Sequence, residues 1–254
     1  MIVISLKSIL NAALAIGLRV SGLVMFAPFF GHVAIPARIK AAIVLAITML
    51  LYPSMAPKLA EVSLSPFTVF SELIIGLAIG VTTNAVFESA LFAGQVLSVQ
   101  MGYSLVNIID PTSDIDTPVM GVFHHTIAFL IFLRLNVHYW ILRATVQSFE
   151  YLPPSGVIDP GPIATGVLHV FASVLQVGLQ IAAPVLAATI AADFALGMLS
   201  KASPQLPLML MGPSLKSLLG LVVLAASLRY WPSLFERYFS DSIAVTGRVL
   251  HLAH

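Results

Sequence analysis

Apolar residues fall along this chain in long runs, cut by short breaks rich in proline and glycine. Residues 9–30 form the first run, long enough at about 1.5 Å per residue to cross a hydrocarbon core of about 30 Å. Arg19 interrupts it and only Lys7 stands where a secretory signal carries its basic region, so the run reads as a membrane helix and not as a signal peptide. Pro28 and Gly31 close it, and a basic turn over residues 36–40 leads into a shorter run at 41–52. Residues 67–102 are proline-free and helix-compatible. As one helix they would measure about 54 Å, nearly twice the hydrocarbon core, so they are either two short spans joined by a polar turn or one helix that projects beyond the bilayer.

Residues 103–118 read as a loop, because Asp110-Pro111, Ser113, Asp114, Asp116 and Pro118 supply turn chemistry. Residues 119–149 are apolar again but carry His124, His125, Arg134, His138 and Arg143. A second loop lies between Pro153 and Pro162, and the helical stretch after it, 163–199, contains Pro184, where a kink or a split is expected. A third loop is expected at 201–213, which holds Pro204, Pro207 and Pro213, followed by an apolar run over 215–231. In the tail, Leu234, Phe235, Tyr238, Phe239 and Val245 alternate with charged residues, the pattern of an amphipathic helix lying on a surface. The pattern predicts an all-α membrane protein of about six apolar stretches.

Composition sharpens this picture. Of 254 residues, 59% are hydrophobic and 9% charged, and the mean hydropathy is +1.00. Too few polar side chains remain to cover a water-facing surface, so lipid or other hydrophobic subunits must surround the chain. A formal charge of +1 removes the basic footprint of a nucleic-acid binder, and the absence of cysteine removes disulfides, thiolate metal sites and a thiol nucleophile. Lys and Arg divide almost evenly between the two sides of a simple alternating topology, so they set no orientation.

Catalytic signatures are missing: His124-His125 lacks the spacing of a zinc-protease helix, Gly102-Tyr-Ser104 is a fragment without a nearby base, and there is no phosphate-binding Gly-rich loop. No catalytic, cofactor-binding or metal-ligating residue is expected. The polar residues of 67–102 are more informative, since at 100° per residue Asn84, Glu88, Gln95, Ser98 and Gly102 fall within an arc of about 80°. Before them, Glu72, Gly76 and Gly80, spaced by four, form a close-packing face. This stripe is either a helix seam or the wall of a water-filled path. Arg19, Arg134 and Asp193 lie in apolar surroundings and need partners or an exit from lipid. Leu105, Val106, Asn107, Ile108 and Ile109 give the 103–118 loop an apolar front ahead of the rigid Asp110-Pro111. Such a front suits an interfacial connector, and it also suits a plug, because an apolar constriction stops water and ions by dewetting.

Taken in order, Arg19-Val-Ser-Gly22, Pro28-Phe-Phe-Gly31, Pro36-Ala-Arg-Ile-Lys40, Glu72, Gly76, Gly80, Ala93-Gly94 and Gln100-Met-Gly102 resemble the FliR family of flagellar and type III secretion export-gate subunits, SctT in injectisomes. Asp110-Pro111, Pro118, Asn136-Val-His138, Ser148-Phe149, Leu152-Pro153, Ala183-Pro184, Ala195-Leu-Gly197, Ser203-Pro-Gln-Leu206 and Gly212-Pro213 continue the resemblance, which covers about residues 15–225. The chain departs from the family's Asn-Gly-His at Val137. The resemblance implies bent helical hairpins, with a FliP-like half over about 1–162 joined to a FliQ-like half over about 163–254. It implies one copy in a helical assembly with FliP-like, FliQ-like and FlhB-like subunits that passes unfolded export substrates. The place implied is the bacterial inner membrane, within a flagellar basal body or injectisome and partly raised toward the periplasm. It also implies that the loop holding Leu105 to Pro111 plugs the export channel. The rival reading is a self-contained secondary transporter or ion channel, with Glu88, Asp193 and Arg134 along its path.

Overall fold

The computed structural model describes residues 6–28, 30–31, 35–56, 59, 64–103, 118–154, 160–203 and 208–252. The loop residues from Leu105 to Pro111 therefore lie outside the described residues. Helix α1 (Leu6–Phe26) is followed by α2 (Ala37–Met55), α3 (Pro66–Gln100), α4 (Val119–Arg134) and α5 (Val137–Tyr151). Then come α6 (Pro160–Ala202), α7 (Leu208–Ser227), a 3-10 turn at Leu228–Tyr230 and α8 (Trp231–Leu252). Among the described residues, five helices are long and apolar enough to cross a membrane, or six if α4 and α5 count as one broken span. The protein is an all-α membrane protein.

Local sequence accounts for most of the boundaries. Pro36, with φ −57°, presets the entry to α2, and Lys40 Nζ donates to the Gly31 carbonyl at 3.0 Å across the turn. Ser65 caps α3, its Oγ accepting from the Thr68 N–H at 3.1 Å. The 35 residues of α3 form one uninterrupted helix, which decides between the two readings of that stretch. Its far end closes in a Schellman turn. Gly102 takes φ 85°, the Gly102 N–H donates to the Val99 carbonyl at 3.1 Å and the Tyr103 N–H to the Ser98 carbonyl at 2.9 Å.

Elsewhere the structure departs from the sequence pattern. The apolar run 119–149 is broken at Asn136, whose φ of 54° is left-handed, a conformation that asparagine tolerates better than most residues. Pro184 does not split α6, which runs unbroken for 43 residues, since a proline removes only one ladder bond and lipid-type helices re-satisfy it locally. Pro213, expected in a loop, lies inside α7. The tail helix α8 is two-faced, with Glu236, Arg237 and Asp241 exposed on one side. Its stripe of Trp231, Phe235 and Phe239, one turn apart, is buried.

The chain divides into two compact units: one comprises residues 1–85, 136–171 and 238–254, the other 86–135 and 172–237. In the first, Ala12, Ala15, Ile16, Val20 and Val24 form one face of α1, packed with Leu51 and Met55 of α2 and with Phe149 of α5. The positions follow the three- and four-residue spacing of a helix stripe. In the second, Phe87 meets Phe132 edge-on at 5.5 Å, and Trp231 lies 5.0 Å from the ring of the buried His124.

Candidate functional site

In the first unit, the side chain of Arg19 is fully buried, and its guanidinium is surrounded by groups from two other helices. Nε donates to Glu72 Oε2 at 2.7 Å and Nη2 to Glu72 Oε1 at 2.9 Å, a bidentate pair. Nη1 donates to Ser148 Oγ at 2.9 Å and Nη2 to the Leu152 carbonyl at 2.8 Å. Ser148 Oγ can accept because its own hydrogen goes to the Thr145 carbonyl at 2.6 Å. The ring of Phe149 lies under the guanidinium, 3.8 Å from its carbon. One cation thus neutralises a carboxylate on α3 and satisfies a carbonyl left over at the C-terminus of α5. Glu72 was expected beside the glycines as part of a packing face, and Arg19 was expected to need a partner; the two are partners for each other.

Glycine makes this pairing possible. A Cβ on Gly76 would overlap the Arg19 carbonyl, one on Gly22 would overlap the Leu73 carbonyl, and one on Gly80 would stand 2.8 Å from the Leu23 carbonyl. The backbones of α1 and α3 therefore approach as closely as a small-residue seam allows, which sets Arg19 and Glu72 at bidentate range. Leucine at position 76 or 80 is expected to cost at least the roughly 1–3 kcal/mol typical of overpacking and to lower the amount of chain in membranes. Val81→Leu, at a half-buried neighbouring position, should leave accumulation near wild type. Quantitative blotting of membrane fractions separates these outcomes, and equal levels for all three variants would show that the seam tolerates side chains.

In the second unit, the end of α3 is held from several directions. Met101 is buried against α7 at Gly220, where a Cβ would lie 2.6 Å from Met101 Cε. Ser217 Oγ donates to the Tyr103 hydroxyl at 2.8 Å. Gln100 Nε2 donates to Asp193 Oδ2 at 3.0 Å, and Lys216 Nζ pairs with Asp193 Oδ1 at 2.9 Å. Asp193 is exposed, so this pair is a partly solvated tie between α6 and α7. On the other side of residues 104–117, the first turn of α4 is clamped to α3: a Cβ on Gly94 would overlap the Met120 carbonyl, and Gly121 lies beside it. Both feet of that segment are thereby fixed within one unit.

The polar stripe of α3 is not a single environment. Ser98 is buried, Asn84 and Gly102 are half-buried, and Glu88 and Gln95 are exposed. Arg134 is exposed at the end of α4. Sequence reading missed Ser148, Phe149 and Leu152 as the surroundings of Arg19, and Gln100 and Lys216 as partners of Asp193. A single opposite charge next to a glycine on each of two apolar runs, Arg19 by Gly22 and Glu72 by Gly76, was the available signal for the first pair. Among the described residues, no group of three or more His, Cys, Asp or Glu is placed to hold a metal ion.

These features define a polytopic helical membrane protein whose buried polar groups tie helices together. Residues 10–242 match the family described as bacterial export proteins, family 1, and the chain belongs to that family. It is 28% identical over 230 residues to the flagellar biosynthetic protein FliR of Escherichia coli strain K12, covering 88% of this chain and 87% of that protein. Identity to FliR of Bacillus subtilis strain 168 is 27% over 253 residues, 98% of each chain. The surface presentation of antigens protein SpaR of Salmonella typhimurium is 26% identical over 244 residues, 94% of this chain and 90% of that protein.

Proposed function

We propose that this membrane-embedded component of the flagellar or type III export apparatus is a channel-forming, non-enzymatic gate subunit. It works with FliP-like, FliQ-like and FlhB-like subunits to form and close the pore for unfolded export substrates. The observation that carries the reading is the match to an export family over residues 10–242, reaching nearly end to end in both flagellar and antigen-presentation relatives. In this reading the first 162 residues form a FliP-like half and the rest a FliQ-like half. The assembly lies in the bacterial inner membrane, partly raised toward the periplasm.

Two physical features support it. The 43 residues of α6 measure about 65 Å, more than twice a hydrocarbon core of about 30 Å, so part of its apolar surface needs a cover other than lipid. Ile190, Phe194 and Met198 on α6 and Leu218 and Val222 on α7 are exposed, faces that unlike hydrophobic subunits would cover. The fixed feet of residues 104–117 suit a closing element, because a plug must be held at both ends while its middle yields. A transporter's ion path is less well served, since Asp193 is already engaged by Lys216 and Gln100.

Affinity purification of the tagged chain, followed by intact mass analysis, tests the assignment. One copy is expected among several unlike, equally hydrophobic chains, and the chain expressed alone should aggregate or be degraded. A stable, monodisperse monomer or symmetric homo-oligomer, resistant to protease without other subunits, would count for the transporter.

A further inference from the structure

Within the second unit, α3 is enclosed on all sides but one. Phe87, Ala90, Ala93 and Leu97 are buried. On one flank α4 is pressed against Gly94, where a Cβ would overlap the Met120 carbonyl. On the other flank lies α6, where a Cβ on Gly178 would stand 2.6 Å from Phe92 Cδ1 and 2.9 Å from the Ser89 carbonyl. At about 100° per residue, Ser89 lies about 100° to one side of Glu88 and Gly94 about 120° to the other. The two close-packed helices therefore leave a furrow between them, and its floor is the exposed strip of Glu88, Gln95 and Val99. Gln95 Cγ lies 3.8 Å from where a Cβ on Gly121 would be, and one turn further along α4 the exposed His125 has its ring 5.6 Å from that of Phe87.

The chemistry of this floor limits what can cover it. Leu130 of α4 and Ile190 and Phe194 of α6 are exposed side chains that hydrocarbon or an apolar subunit can cover. A carboxylate, an amide and an imidazole along one furrow are not, because in hydrocarbon Glu88 alone would cost about 2.5–3.5 kcal/mol. A covering helix would have to bring a matched partner to each of the three, whereas water satisfies them all. Beyond Val99 the polar groups continue. Asp193, bonded by Gln100, pairs with Lys216 with side chains 44% and 20% exposed, a partly solvated pair, and the Tyr103 hydroxyl accepts from Ser217 at the foot of residues 104–117.

We propose that the furrow floored by Glu88, Gln95 and Val99 is the water-filled face of this chain, a hydrated path running along α3 toward the foot of residues 104–117. The inference rests on the reading of the chain as a pore-forming subunit and adds to it which helix face looks into the pore. It also chooses between the two roles open to the polar stripe of α3, a helix seam or the wall of a water-filled path.

The chain contains no cysteine, so a single introduced thiol is its only one. Gln95→Cys and Val99→Cys sample the floor, and Leu130→Cys and Phe194→Cys sample exposed apolar faces of the flanking helices. Each variant, kept in its native membrane with the other subunits present, is treated from both faces with a permanently charged trimethylammonium methanethiosulfonate. Unreacted thiol is then counted by the mass shift of the denatured chain with a maleimide polymer. The two floor thiols should react at least about tenfold faster than the two apolar-face thiols, because only a thiolate reacts and it forms only where water reaches it. Should Gln95→Cys fail to accumulate, Val99→Cys decides, since its exposed side chain leaves the packing of α3 intact. Floor thiols no faster than Leu130→Cys and Phe194→Cys, whether all four are slow or all four are fast, overturn the path. All four slow would make the strip a polar seam beneath another subunit. The same membranes separate this result from the pore reading itself. Fast floor thiols in a chain that purifies as a symmetric homo-oligomer would keep the water path and remove the export gate, whereas slow ones in a complex of unlike chains would keep the gate and remove the path.

Discussion

Arg19→Leu should all but remove the protein from the membrane, while Arg19→Leu combined with Glu72→Leu should bring much of it back. The single change leaves the Glu72 carboxylate, the Ser148 hydroxyl and the Leu152 carbonyl without the guanidinium that serves all three. Breaking a buried pair from one side costs about 3–5 kcal/mol, a large part of the roughly 5–15 kcal/mol by which a domain is folded. Removing both charges avoids the uncompensated carboxylate, and two leucines of similar bulk restore apolar packing beside Phe149. A double-mutant cycle on membrane-resident protein, read by resistance to denaturing detergent, measures the coupling. A double variant no better than Arg19→Leu alone would mean that the arginine matters for Ser148, Leu152 and Phe149 and not for its carboxylate partner. Arg19→Glu with Glu72→Arg should rescue poorly, since Ser148 Oγ and the Leu152 carbonyl are acceptors matched to a donor on α1.

Deleting residues 106–110 should make an assembled complex leak. That segment contains Val106, Ile108, Ile109 and Asp110, and its apolar members would keep a closed pore dry without any charge barrier. A polypeptide could push such side chains aside without breaking strong bonds. The helix-packing seams of the described residues lie elsewhere, at Gly22, Gly76, Gly80, Gly94 and Gly220, so assembly should survive the deletion. Conductance across planar bilayers, or sensitivity of cells to small toxic solutes, should rise severalfold, whereas subunit co-purification should stay unchanged. Wild-type conductance in a fully assembled deletion complex would rule out the segment as the closing element.

Much of the helical architecture was legible because membrane-length apolar runs have few alternatives to helix. Proline misled at Pro213, expected in a loop and found inside a helix, while at Pro184, where a kink or a split was expected, the helix is not split. The opposite error occurred at Asn136, since nothing apolar stops at 135 and a left-handed asparagine leaves no gap in hydropathy. Among the polar residues, periodicity placed Glu72, Gly76 and Gly80 on one face but carried no information about what lies across from it. Arg19 and Glu72 are 53 positions apart, and Arg19 and Leu152 are 133 apart. No local spacing encodes such pairs. The same holds for Asp193, which reads from sequence as an isolated intramembrane charge and is tied in space to Lys216 and Gln100.

The distances along the chain between the partners of Arg19 also set an order of events during synthesis. At about 5–20 residues per second, Glu72 leaves the ribosome roughly 3–10 seconds after Arg19. Ser148 and Leu152 follow only after a further 76 or 80 positions, since 129 − 53 = 76 and 133 − 53 = 80. Until Glu72 emerges, the nascent first helix carries a cation whose carboxylate partner has not yet been made, and until α5 follows, the pair lacks Ser148 and Leu152. Residues 238–254, the last part of the first unit, arrive later still. The brace on Arg19 is therefore closed progressively, first by α3 and then by α5, before translation ends.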